Sequence, residues 1–134
     1  TLAAIAAGMH QKLGSEHVLA AIDARMGEVY WAGYEISEGV VRPITAEVVS
    51  KVENLPSVAE KDWAGAGTGW AEYKDQLQQK YQVADNCIDT QMLPSAENIV
   101  RIAAEDFRHG KQVTAHQAQP VYLRDNVAKK KQNQ

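Results

Sequence analysis

Residues Val18 to Tyr34 read VLAAIDARMGEVYWAGY. Two apolar runs of strand-forming residues meet at a short turn, Asp23-Ala24-Arg25-Met26-Gly27. Val, Ile, Tyr and Trp suit a pleated surface, and Gly27 permits the positive φ that a tight reversal often needs. Side chains alternate along a strand, so Val29, Trp31 and Gly33 point one way and Tyr30, Ala32 and Tyr34 the other. Both sets are apolar, and a strand apolar on both faces is covered on both sides. The stretch therefore predicts a hairpin in the middle of a sheet. An aspartate and a turn rich in backbone groups stand at one end of it.

Further elements flank the hairpin on either side. Leu2, Ile5, Ala6, Met9 and Leu13 share one helical face, and Gly14 ends that helix, predicted over Leu2–Leu13. The chain opens on Thr1 with this apolar stripe already running, and the expectation is that upstream residues are missing, through proteolysis or by choice of the expressed fragment. The hairpin occupies His17–Asp23 and Glu28–Ile36. Ser37-Glu38-Gly39 turns into a third strand, Val40–Val49, where Pro43 suggests an edge. Ser50-Lys51-Val52-Glu53 has the spacing of a helix cap, and Pro56 keeps any helix there short. Trp63–Gly67 (WAGAG) reads as a short strand entering the loop Gly67-Thr68-Gly69. Trp70, Tyr73, Leu77 and Tyr81 form one helical stripe, and Val83–Ile88 suits another short strand. Pro94-Ser95 starts a last helix whose predicted buried face is Ala96, Ile99, Val100, Ala103 and Phe107, with Arg108 and His109 at its negative end and Gly110 beyond. Three meandering strands and then alternating helices and strands predict an α/β fold of the ribonuclease-H-like plan, the lobe from which actin-like ATPases build a nucleotide cleft.

Composition narrows the function classes. The chain has 134 residues, 45% apolar and 23% charged, as expected of one globular domain. A net charge of −3 argues against a domain that grips nucleic acid unaided, which needs clustered Lys and Arg. The single Cys87 cannot form an internal disulfide, so a cytoplasmic location is expected. No apolar run reaches membrane-spanning length. Lys129-Lys130-Lys131 beside Gln132, Asn133 and Gln134 reads as a basic, solvated tail over 129–134, leaving 1–128 as the folded lobe.

Candidate sites are few. Asp23, Arg25 and Gly27 can form a phosphate-facing corner, where turn amides and a metal-linked aspartate meet a nucleotide. They can equally form an ordinary hairpin whose aspartate bonds its own backbone. Gly65, Gly67 and Gly69 can admit an adenosine to the backbone, or simply pack a strand against a helix. A nuclease of this plan needs several acids around metal ions, and Trp63–Gly69 carries none. His10, His17, His109 and His116 lack metal-motif spacing, so no metal site is expected. Cys87 has no adjacent histidine or basic residue, and no serine sits in a G-x-S-x-G elbow, so no catalytic nucleophile is expected.

Three segments together, Val18–Tyr34, Gly67–Trp70 (GTGW) and Pro120–Ala128 (PVYLRDNVA), resemble the TsaB (YeaZ) family in order and spacing. The resemblance covers nearly the whole chain, but only the C-terminal lobe of a two-lobed protein. It implies a noncatalytic scaffold or activator that partners TsaD, with TsaE, in moving threonylcarbamoyl from threonylcarbamoyl-AMP to the adenosine beside the anticodon of certain tRNAs. TsaD would carry the metal and the chemistry, tRNA would be met through the complex, and any ATP or ADP would belong to the complex rather than to this lobe. Family members have also been called M22 glycoproteases, which nothing in this sequence supports.

By the same resemblance, Asp23, Arg25, Met26 and Gly27 match the family hairpin, and Gly67, Thr68 and Gly69 its glycine loop. These residues are expected to line a remnant nucleotide cleft. The helices that grip TsaD would lie in the other lobe, so the present chain alone is expected neither to support modification nor to hold TsaD tightly. Surface bared by an absent lobe leaves a homodimer open. The rival expectation is an ATP-binding or ATP-hydrolysing lobe of an actin-like ATPase or kinase, using Asp23 and the glycine loop with Mg²⁺.

Overall fold

The computed structural model describes residues 1–125; the end of the PVYLRDNVA segment and the 129–134 tail lie outside the described residues. Thr1 opens α1 (Leu2–Leu13), its hydroxyl accepting from the Ala4 amide at 3.2 Å, and Gly14 closes the helix at φ 70°. Strand β1 (His17–Asp23) pairs antiparallel with β2 (Val29–Ser37), in a register that sets Ala20 against Ala32 and Asp23 against Val29. The hairpin stands where its sequence predicts it. Its two apolar faces are indeed both covered.

The third strand departs from expectation. Instead of one run over Val40–Val49 there are two, β3 (Val40–Pro43) and β4 (Val48–Ser50), and both pair with β2. Between them the Gly33 amide donates to the Thr45 hydroxyl at 2.8 Å, while Ile44 donates to the Gly33 carbonyl. A side chain thus takes over one rung of the ladder where the strand bulges after Pro43. The cap spacing at Ser50–Glu53 yields only a 3-10 turn, Val52–Asn54, without a side-chain cap.

Strand β5 (Trp63–Ala66) runs parallel to β1 on its other side. Next come α2 (Thr68–Glu72) and α3 (Lys74–Tyr81), where the stripe from Trp70 to Tyr81 predicts a single helix. The break falls at Tyr73, which leaves helical geometry at φ −120° yet keeps its bonds, donating to Gly69 and accepting from Leu77. Trp70, Leu77 and Tyr81 stay buried across it. The strand expected over Val83–Ile88 shrinks to a 3-10 turn and β6 (Ile88–Asp89). The sheet order is β3-β2-β1-β5-β6, with β4 sharing the β2 edge with β3. An antiparallel meander extended by parallel strands is the ribonuclease-H-like plan.

Each face of the sheet carries its own core. On one face Ile5 and Met9 of α1 pack against Val18, Ala20, Ala32 and Tyr34. On the other face Leu19, Ala21, Val29 and Trp31 meet Trp63, Trp70 and Leu77, and Trp31 stacks on Tyr81 at 5.5 Å between ring centroids. Burial of this kind is worth about 1.5–3 kcal/mol for each large apolar side chain. Lys12 ties α1 to the far edge by a 2.6 Å bond to Asp89, whose carboxyl it holds below the usual carboxylate range.

Helix α4 (Ala96–Arg108) begins as predicted, with Ser95 capping the Asn98 amide at 3.1 Å. Its predicted buried face is not buried. Ile99, Val100 and Phe107 are 44%, 66% and 67% exposed, and Ala96 and Ala103 are exposed as well. Buried in their place is Asn98, whose Nδ2 donates to the Ala4 carbonyl at 3.3 Å, with Ile102 half-buried beside it. The contact lies over Gly8, where a Cβ would stand 2.9 Å from the Met92 sulfur. This polar anchor on a small-residue surface of α1 fixes the rotation of α4 and turns the apolar stripe outward. Leu13, on the predicted α1 stripe, is likewise 47% exposed.

Candidate functional site

Three chain-distant stretches meet at the carboxyl end of β1: the hairpin turn, the glycine loop and the segment before Asp125. Asp23 is the meeting point. Its amide donates to the Thr68 hydroxyl at 3.1 Å, and its Oδ1 accepts from the Arg25 amide at 3.0 Å. The Arg25 guanidinium reaches back to Oδ2 at 3.7 Å but is otherwise open to solvent. The turn itself is strained. Arg25, Met26 and Gly27 have φ of 62°, 58° and 76°, three left-handed residues in succession. For a residue with a Cβ that conformation costs roughly 1–2 kcal/mol, and sequence reading anticipates it only at Gly27.

The glycine loop brings α2 down onto β1. A Cβ on Gly67, which has φ 108°, would lie 2.3 Å from the Ala21 carbonyl oxygen. One on Gly69 would lie 2.8 Å from the Ala21 Cβ, and one on Gly65 would enter the Trp70 ring at 2.5 Å. The Gly67 amide donates to Asp89, and the Trp70 indole N–H donates to the Leu19 carbonyl at 2.9 Å. Close packing of strand against helix accounts for all three glycines. Thr68, between them, supplies the hydroxyl that meets Asp23.

Two residues of the corner have no role in the sequence reading. Arg124 donates through Nη1 to the Ala24 carbonyl at 2.6 Å and through Nη2 to the Arg25 carbonyl at 3.4 Å and to Glu28 Oε2 at 2.5 Å. Its guanidinium carbon also stands 5.8 Å from the centre of the Tyr30 ring. The signal for Arg124 is its place as the lone cation after Val121 and Leu123 in the third motif. For Glu28, a single acid after Gly27, the sequence carries none.

The corner thus unites Asp23, Arg25, Gly27, Gly67, Thr68 and Gly69, the residues singled out from sequence. The groups in it able to meet a phosphate are the exposed Arg25 guanidinium and, through a bridging cation, the Asp23 carboxylate. Among the described residues, no group of three or more His, Cys, Asp or Glu side chains is placed to hold a metal ion. Beside the corner, an apolar groove of about 630 Å³ runs between the hairpin and the last segment, lined by Leu2, Ile22, Tyr30 and Leu123. No helix of the described residues is long and apolar enough to cross a membrane.

Residues 1–132 match the family described as TsaD, tRNA N6-adenosine threonylcarbamoyltransferase. The chain is 42% identical to the Escherichia coli (strain K12) tRNA threonylcarbamoyladenosine biosynthesis protein TsaB, across 98% of this chain and 58% of that protein. It is 32% identical to the Haemophilus influenzae TsaB, across 92% of this chain and 52% of the relative. Two Pseudomonas aeruginosa structures superpose with TM-scores of 0.79 at 39% identity, one described as YeaZ and one as an uncharacterized protein with similarity to peptidase YEAZ. They are covered to 55% and 56% and cover 91% and 92% of this chain. The chain spans little more than half the length of the relatives it matches.

Proposed function

This chain belongs to the family described as TsaD, tRNA N6-adenosine threonylcarbamoyltransferase, and on that premise we propose that it works as a noncatalytic lobe of a TsaB-like subunit. Residues 1–128 serve as one ribonuclease-H-like lobe. The subunit orders TsaD, with TsaE, while threonylcarbamoyl passes from its adenylate to the adenosine beside the anticodon of tRNA. The two TsaB relatives are named for the biosynthesis of that product.

One observation carries the noncatalytic part. At the corner, the groups that a nucleotide enzyme of this plan would turn toward phosphate are, apart from the exposed Arg25 guanidinium, engaged by the fold's own atoms. Asp23 caps the Arg25 amide, Thr68 accepts from Asp23, and Gly65, Gly67 and Gly69 pack against Trp70 and Ala21. A wall built this way holds its shape and presents surface, which suits a subunit acting by complementarity.

The test is complementation. A chimera in which residues 1–134 replace the matching segment of the E. coli TsaB protein is expressed in cells depleted of their own TsaB. Restored threonylcarbamoyladenosine, measured by mass spectrometry of tRNA nucleosides, is the expected result. A folded chimera that leaves the tRNA unmodified counts against the assignment.

A further inference from the structure

We infer that Arg124 is a positioning residue, a latch by which the segment after α4 holds the β1–β2 corner in its left-handed shape. This goes beyond the proposed function and stands whether or not that reading holds. Arg25 and Met26 carry side chains in a backbone region that glycine favours, at φ 62° and 58°. Such geometry persists only when its surroundings over-determine it. Within the turn itself, Ala24 donates to Glu28 at 2.9 Å and Glu28 donates to Arg25 at 3.1 Å.

Asp23 Oδ1 accepts from the Arg25 amide as well, and a further hold comes from far along the chain. Arg124 bridges the carbonyls of Ala24 and Arg25 and the carboxylate of Glu28, across both arms of the turn. A planar guanidinium with several donors can meet three acceptors while lying over the Tyr30 ring; a lysine ammonium cannot reproduce that fork. The Arg124 side chain is 13% exposed. Its neighbours Val121 and Tyr122 are 81% and 77% exposed. The segment is therefore fastened to the hairpin through Arg124 and the half-buried Leu123 beside it, and Arg124 makes the polar bonds to the turn. The latch fixes where Arg25 and Met26, both exposed, are presented. Anything that meets the open end of the sheet meets a corner whose shape Arg124 sets.

Amide hydrogen exchange by NMR tests this on the whole chain. In Arg124→Ala the amides of Ala24, Arg25 and Glu28 should exchange at least about tenfold faster, with Leu77 in α3 unchanged as the internal control. Arg124→Lys should give nearly the same loss, because charge alone does not rebuild the bridge. A third comparison isolates the strain. With Met26→Gly in the background, the effect of Arg124→Ala should shrink at least about threefold, since glycine sits at positive φ without penalty. Unchanged exchange at the corner, full protection in Arg124→Lys, or equal effects with and without Met26→Gly would each overturn the inference. So would a uniform acceleration that includes Leu77.

Discussion

The amide of Asp23 donates to the hydroxyl of Thr68 across 3.1 Å, joining the end of β1 to the start of α2. The bond is partly buried and sits where hairpin and glycine loop touch. Thr68→Val keeps the shape and removes the acceptor. It should cost about 1–2 kcal/mol in urea denaturation, whereas Thr68→Ser should cost less than half of that. Equal losses would mean that the methyl group matters as much as the hydroxyl, and a loss confined to Thr68→Ser would mean that the hydroxyl contributes nothing.

The glycines separate two physical effects. Gly67→Ala meets both a carbonyl oxygen and an unfavourable φ, and should cost roughly 2–4 kcal/mol. Gly27→Ala meets open space at φ 76°, so only the conformational part remains, about 1 kcal/mol. Thermal melts of the two variants check the ordering.

Much of this was legible in the residues, and the failures share a cause. Alternating apolar faces in Val18–Tyr34 specify a doubly covered central hairpin, because strand period and burial are local consequences of the same pattern. The stripe Ile99, Val100, Ala103 and Phe107 specifies an amphipathic helix equally well. Which face turns inward is decided by Asn98 meeting Ala4 over Gly8, a contact between residues 94 apart. Strand β3 ends for a comparable reason, since the Thr45 hydroxyl replaces a backbone rung at Gly33. Of the corner, periodicity and turn chemistry reveal Asp23, Arg25 and Gly27. Arg124 acts from the other end of the chain, and its partners are mostly carbonyls, which leave no mark in sequence.

The outward stripe on α4 gives a stability prediction. Val100→Ser and Phe107→Ser should each change unfolding free energy by no more than about 0.5 kcal/mol. Leu77→Ala, in the core beside Trp70, should cost about 2–5 kcal/mol. A large loss at Phe107 would show that the stripe is covered in solution.

Two tyrosines set the alkaline limit. Burial, with the Glu47 carboxylate accepting the Tyr34 hydroxyl at 2.6 Å, pushes the Tyr34 phenol far above its usual value, and burial does the same for Tyr81. A group whose pKa is raised by folding contributes stability that is complete below its unfolded value, near 10, and lost as pH rises past it. Stability should therefore begin to fall near pH 10 and keep falling as the pH is raised further. Tyr34→Phe should make that fall shallower in denaturant titrations at stepped pH.

On the proposed function, Asp23 shapes the corner and performs no chemistry. Asp23→Asn in the E. coli chimera keeps an oxygen for the Arg25 amide and removes the charge a metal-linked nucleotide would need. Threonylcarbamoyladenosine in TsaB-depleted cells, measured by mass spectrometry of tRNA nucleosides, should match the unsubstituted chimera. Loss of the modified nucleoside from cells holding a normal amount of folded Asp23→Asn protein would show that the Asp23 charge takes part in the reaction.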